Sequence, residues 1–228
     1  GDHLPKGEHA DMFISMMKKS YEILKDHPVN KDRIARGLNP ANSMWIWGEG
    51  RKPKLSSFKD KFGITGAAIS AVDLIKGIAI CAGLDSIDVE GSTGTLNTNY
   101  EGKADAALAA FREGKDFVYV HLEGPDECGH QGDAEGKVLS LERIDDKIVK
   151  PIVEGLKAGG EDFRFLIVPD HRTPIAVRTH TPEPVPFVLY DSTDEKPYDD
   201  TRAFNETSGS TGSKFGSGYE LAGYFFEK

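Results

Sequence analysis

The stretch HLEGPDECGHQGD, His121 to Asp133, follows the apolar run Phe117-Val118-Tyr119-Val120 and sets carboxylates and imidazoles among glycines. Asp126 and His130 stand four apart within it. Asp170 and His171 are adjacent at the end of a second apolar run, Phe163 to Val168, and His180 follows a proline-containing loop before a third, Val185 to Tyr190. Four of the seven histidines fall between His121 and His180. Carboxylate oxygen and imidazole nitrogen suit zinc, manganese or iron, and the lack of paired cysteines argues against a finger-type structural zinc. Asp126-x-x-x-His130 alone is common in solvated loops. The ordered set over three strand ends is more specific, and a mixed Asp/His set is typical of a catalytic site that leaves coordination positions open.

Something must bring these residues to one place, and the apolar periodicity supplies it. Met12, Phe13, Met16, Met17, Tyr21 and Leu24 recur at helical spacing, which predicts an amphipathic helix over 8–24 with its methionines in the core. Asn42 to Trp47 reads as a short buried strand with Trp45 and Trp47 packed, closed by Gly48-Glu49-Gly50. Helices are expected over 56–62, 71–82 and 102–114, and a strand or loop over 63–69. A strand over 116–122 follows, then a long helix over 134–156 kinked by Pro151. With the strands 163–168 and 185–190, this is the order of a doubly wound α/β fold with parallel strands, which places ligands at the carboxyl ends of its strands.

Composition narrows the partners. A formal charge of -9 argues against nucleic acid, and no apolar run approaches the roughly 20 residues of a membrane helix. No signal pattern opens the sequence, and Cys81 and Cys128 have no paired spacing, so a soluble, cytoplasmic protein with reduced thiols is expected. Oligomeric state is open.

The strings DECGHQGD, VPDHRTP and THTPEPVPFVLY, in that order, together with NSMWIWGEG and NTNYEGKAD upstream, resemble the C-terminal part of archaeal-type, cofactor-independent (2,3-bisphosphoglycerate-independent) phosphoglycerate mutases of the alkaline phosphatase superfamily. The resemblance implies a mostly parallel, doubly wound α/β sheet of the alkaline phosphatase-like type, incomplete at its N-terminus. Residues 1–85 would be the remnant of an inserted substrate-binding α/β domain, and 86–228 the C-terminal half of the metal-binding core. It implies that Asp126, His130 and His180 bind one divalent ion and that Asp170 and His171 contribute to a second, manganese or zinc, with no organic cofactor. Lys103 matches a catalytic lysine near the transferring phosphate, where it would stabilise developing negative charge. The Ser or Thr nucleophile and a further Asp belong, in that family, to an N-terminal segment not found in this sequence. The chain alone is therefore expected to be inactive in the conversion of 3-phosphoglycerate to 2-phosphoglycerate.

Other readings stay open. The chain could be a non-catalytic metal-binding domain on the same scaffold, or belong to another phosphomonoester hydrolase or phosphomutase of that superfamily. Residue by residue, Lys103 is equally a solvated lysine opening a helix, and Glu127 and Asp133 read as solvated acids beside the ligands. His121 reads as a satisfied core histidine. Arg172 and Arg178 could reach a substrate phosphate or pair with carboxylates; no substrate-binding residue is assigned.

Overall fold

A computed structural model describes residues 4–46, 48, 50–197, 199 and 201–226. The chain divides into two compact units, Gly1–Pro53 and Lys54–Lys228.

The first unit holds helices α1 (Ala10–Leu24) and α2 (Pro28–Ala35). Pro28 suits the first turn of α2, where a missing N–H costs nothing, and the His27 ring accepts from the Val29 N–H. The buried side chain of Asn30 then ties the unit together. It donates to the carbonyls of Leu24 (2.7 Å) and Ala41 (3.0 Å) and accepts from the Ala41 N–H (2.9 Å). Two expectations fail here. Met17 is buried, but Met12 and Met16 lie exposed, so only part of the helical stripe is covered. Residues 42–46 form no strand, because no strand pairs with them among the described residues; the Met44 N–H finds the Ser20 hydroxyl instead (2.8 Å). Trp45 is 53% exposed rather than packed, and Trp47 lies outside the described residues.

The second unit opens with α3 (Phe58–Phe62), β1 (Gly66–Ile69), α4 (Asp73–Cys81) and β2 (Asp85–Ile87). It continues with α5 (Tyr100–Arg112), β3 (Phe117–Val120) and α6 (Gly124–Gln131). The boundary expected between 85 and 86 falls inside this unit, within β2. The three strands form a parallel sheet in the order β2-β1-β3. β1 is the sheet's centre and is buried along its whole length, as its unbroken apolar composition requires. Gly66 is needed there: a Cβ would stand 2.8 Å from the Phe117 carbonyl oxygen. Alanines on α5 (Ala104, Ala107, Ala110) let that helix lie close, and Ile69, Tyr100, Ile148 and Ile152 complete the core.

The long helix expected over 134–156 is three segments: α7 (Ala134–Ile144), a π-helical turn (Asp145–Val149) and α8 (Lys150–Gly159). Pro151 has no N–H for the carbonyl four residues back, and the wide turn just before it takes up the mismatch. β4 (Arg164–Ile167) and β5 (Val188–Asp191) then pair with each other, antiparallel and apart from the first sheet. This pair is the antiparallel exception within the mostly parallel order expected, and it corrects the parallel direction read for the strand over 185–190. The connection from β4 to β5 carries no crossover helix, and only such a crossover would return the chain in the same direction. Short helices α9 (Glu206–Gly209) and α10 (Gly218–Phe226) finish the chain. Phe226 of α10 meets Phe117 edge-on at the start of β3, the end of the strand away from the polar cluster.

Candidate metal centre

The parallel strands end in polar residues, and the helix after β3 begins almost at once. Pro125 sits in the first turn of α6, so Asp126 and His130, sequence positions i and i+4, share one face of a helix rather than lying in a loop. His130 Nε2 is 3.3 Å from Asp126 Oδ2. Gly132 closes α6 in the left-handed conformation (φ 74°).

The β4–β5 connection supplies the other side. A single antiparallel bridge joins Arg172 to Thr181, with the Thr181 N–H donating to the Arg172 carbonyl (3.1 Å). Their neighbours His171 and His180 are thereby stacked, ring centroids 3.6 Å apart at 27°. His180 Nε2 lies 3.4 Å from Asp126 Oδ1 and 3.1 Å from His130 Nε2. One donor atom each from Asp126, His171 and His180 falls within a mutual 4.8 Å. Asp170, mostly exposed, borders the cluster with Oδ2 3.3 Å from His171 Nε2. The five residues singled out in the sequence for metal therefore stand together, and the three whose single donor atoms share that 4.8 Å spacing draw one histidine from each of the two sets expected.

The donor chemistry fits a divalent cation. His130 Nδ1 is 3.0 Å from the carbonyl oxygen of Arg178, an acceptor only, so that nitrogen carries the proton and Nε2 keeps its lone pair for the cluster. Arg178 holds its carbonyl there at φ 57°, a left-handed conformation that a non-glycine residue adopts at a cost, and such strain gathers at functional sites. Two imidazole nitrogens 3.1 Å apart beside a carboxylate are what an oxygen- and nitrogen-seeking ion would draw together.

Lys103 is not the solvated lysine its place in a helix allowed. It is 1% exposed, on the inner face of α5, and its Nζ donates to the His121 carbonyl (3.0 Å) just past β3. Burial pushes its pKa below the ordinary lysine value, with the Glu123 charge opposing. The His121 ring is partly buried with Nδ1 3.2 Å from the Ser70 hydroxyl, and burial lowers its pKa as well. Glu123 is pushed up, by burial first and then by Glu127 and Asp126. Arg172 Nε is engaged by the Pro184 carbonyl (2.8 Å), and the Arg178 guanidinium lies over Gly132. Asp133 caps α7 by accepting from the Gly136 N–H (2.9 Å), a structural role in place of a solvated one. Sequence reasoning passed over Thr173, whose hydroxyl donates to Asp126 Oδ1, and Ser70; the one signal for Thr173 was its place inside VPDHRTP.

A family profile described as "Metalloenzyme superfamily" matches residues 9–216, and the chain belongs to that superfamily. Within it, the chain is 48% identical over 212 residues to a 2,3-bisphosphoglycerate-independent phosphoglycerate mutase of Methanosarcina barkeri, covering 93% of this chain and 53% of the relative. A protein of Geobacter sulfurreducens named as a probable enzyme of the same kind is 52% identical over 189 residues, 83% of this chain and 47% of its own length. Among solved structures, a Pyrococcus horikoshii protein matches with a TM-score of 0.71 at 31% identity, over 88% of this chain and 51% of that one. The cofactor-independent phosphoglycerate mutase of Thermoplasma acidophilum matches at 0.54 and 26% identity, over 96% and 51%. The chain thus spans about half the length of the curated relatives it matches. No helix among the described residues is long and apolar enough to cross a membrane.

Proposed function

We propose that the protein takes part in the metal-dependent interconversion of 3-phosphoglycerate and 2-phosphoglycerate, and that this chain contributes the greater part of the metal centre. The observation that supports it most is the meeting of Asp126, His130, His171 and His180 from two separate segments, in a chain about half identical to enzymes of that name. Asp126, His130 and His180 would hold one divalent ion, manganese or zinc, and Asp170 with His171 would hold a second. Such ions neutralise phosphoryl oxygens and make a hydroxyl a better nucleophile. Arg178 and Asp126 orient the His130 ring. Lys103, fixed by the His121 carbonyl, presents a cation whose poor solvation strengthens its pull on phosphate. The nucleophile that takes up the phosphoryl group and returns it to the other hydroxyl of glycerate would come from the portion of the relatives that this chain does not span.

The test incubates the purified chain with 3-phosphoglycerate and manganese and couples 2-phosphoglycerate to enolase. No turnover is expected from the chain alone, since loss of a covalent nucleophile removes the reaction path. Calorimetry should show manganese or zinc binding that His130→Ala weakens. Turnover abolished by His130→Ala would mean that the chain holds its own nucleophile. Absence of metal binding would sink the metal centre itself.

A further inference from the structure

Thr173 is 4% exposed, and nothing in the proposed chemistry uses it, yet its hydroxyl touches both halves of the cluster. It donates to Asp126 Oδ1, and its oxygen lies 3.3 Å from His171 Nδ1. A hydroxyl has one proton to give and lone pairs to receive with. Once that proton is committed to the carboxylate, the oxygen can only accept from His171, which places the imidazole proton on Nδ1. Nε2, the nitrogen beside Asp170, then keeps its lone pair.

The residue is gripped from both ends. The Lys137 ammonium donates to the Thr173 carbonyl (2.7 Å). The backbone of α6 comes so close that a Cβ on Gly129, between the two ligands of that helix, would stand 2.5 Å from the same carbonyl oxygen and 2.9 Å from Thr173 Cγ2. No side chain could be interposed, so the hydroxyl's aim is set by backbone packing.

We propose that Thr173 is the positioning residue that joins the two metal subsites, aiming the Asp126 carboxylate at one and fixing the His171 tautomer for the other; this rests on the metal reading given above. Groups that orient metal ligands are worth about 10- to 100-fold in metal affinity. Titration calorimetry of the full chain with Mn2+ or Zn2+ should therefore show Thr173→Val weakened by about that factor, while Thr173→Ser, which keeps the hydroxyl, stays near the unsubstituted protein. Equal affinity in Thr173→Val overturns the proposal, and so does an equal loss in both variants, which would assign the effect to the packing of the side chain and not to its hydroxyl. Circular dichroism checks that each variant is folded. Should Thr173→Val not fold, Lys137→Met decides: it frees the Thr173 carbonyl, and unchanged affinity counts against the proposal. Should the unsubstituted protein bind neither ion, the metal reading fails by itself. Crystal structures without metal then decide the positioning role, which is overturned if the Asp126 carboxylate keeps its place against His180 in Thr173→Val.

Discussion

The parallel sheet β2-β1-β3 and the antiparallel pair β4-β5 each carry part of the cluster, and they are built on different physics. The first is held by burial: β1 is enclosed from end to end, with Ile69 at 0% exposure under Tyr100, Ile148 and Ile152. The second is half-buried except at Val188, which is exposed, and carries an ion pair, Arg164 Nε to Asp191 Oδ2 at 2.7 Å. Asp126 and His130 ride on a helix that leaves the first sheet at once, so their spacing is a property of a regular element. His171 and His180 sit on a twenty-residue-scale connection whose shape depends on one bridge and on Thr173. A rigid pair of ligands thus meets an adjustable pair, and side-chain hydrogen bonds set the match between them.

The difference can be broken most severely at the buried sheet. Ile69→Ala should destabilise the chain by about 3 kcal/mol, the cost of a cavity in a core that cannot collapse around it. Urea unfolding followed by circular dichroism measures this, and a loss below about 1 kcal/mol would mean that burial at β1 is not what holds this sheet.

Much of this contrast was readable in advance, and where reading failed the reason is physical. The apolar runs at 117–120 and 164–167 follow from strand composition, and the acid and histidine after the first follow also from the habit of parallel sheets to end in sites. The antiparallel return of β5 was not readable, because strand direction depends on the path of the loop between and not on the strand's own residues. Nor was the π turn at Asp145–Val149, since a proline announces an interruption but not how neighbouring turns absorb it. The exposure of Met12 and Met16 shows that an amphipathic stripe records an apolar face without naming what covers it. Thr173 escaped because a hydroxyl's role lies in its one proton's direction, which only three-dimensional neighbours fix.

A second substitution should act with the opposite sign. Lys103 is among the largest fully buried side chains and makes no ion pair among the described residues. Lys103→Met should therefore stabilise the chain, by about 1 kcal/mol, while removing the cation that the proposed chemistry needs. Because burial lowers the folded-state pKa, the lysine costs stability wherever it is charged in the fold. That cost is full below the folded pKa and fades as pH rises towards the ordinary value of 10.5, so the gain from Met should shrink in the same range. Thermal melts across alkaline pH would show this, and a destabilised Lys103→Met at neutral pH would contradict it.

The smallest effect is expected in the β4-β5 pair. Asp191 accepts from the Thr193 hydroxyl (2.6 Å) and N–H (2.9 Å) and from Arg164, and these hold its pKa down at about 2. A carboxylate whose folded pKa is depressed contributes stability above its unfolded value of 3.8, and that contribution is lost as pH falls through the folded value of about 2. Asp191→Asn keeps the size and an acceptor oxygen but removes the charge. It should melt slightly lower than the unsubstituted chain at neutral pH, and the gap between the two should close as the pH is lowered through the acid range. Asp191 and its arginine partner each keep about a quarter of the side chain in solvent (24% and 26%), so added salt should narrow the gap at neutral pH too. A gap that stayed constant with both pH and salt would show that Asp191 acts by shape alone, and that β4-β5 is held by packing in the same way as the buried sheet.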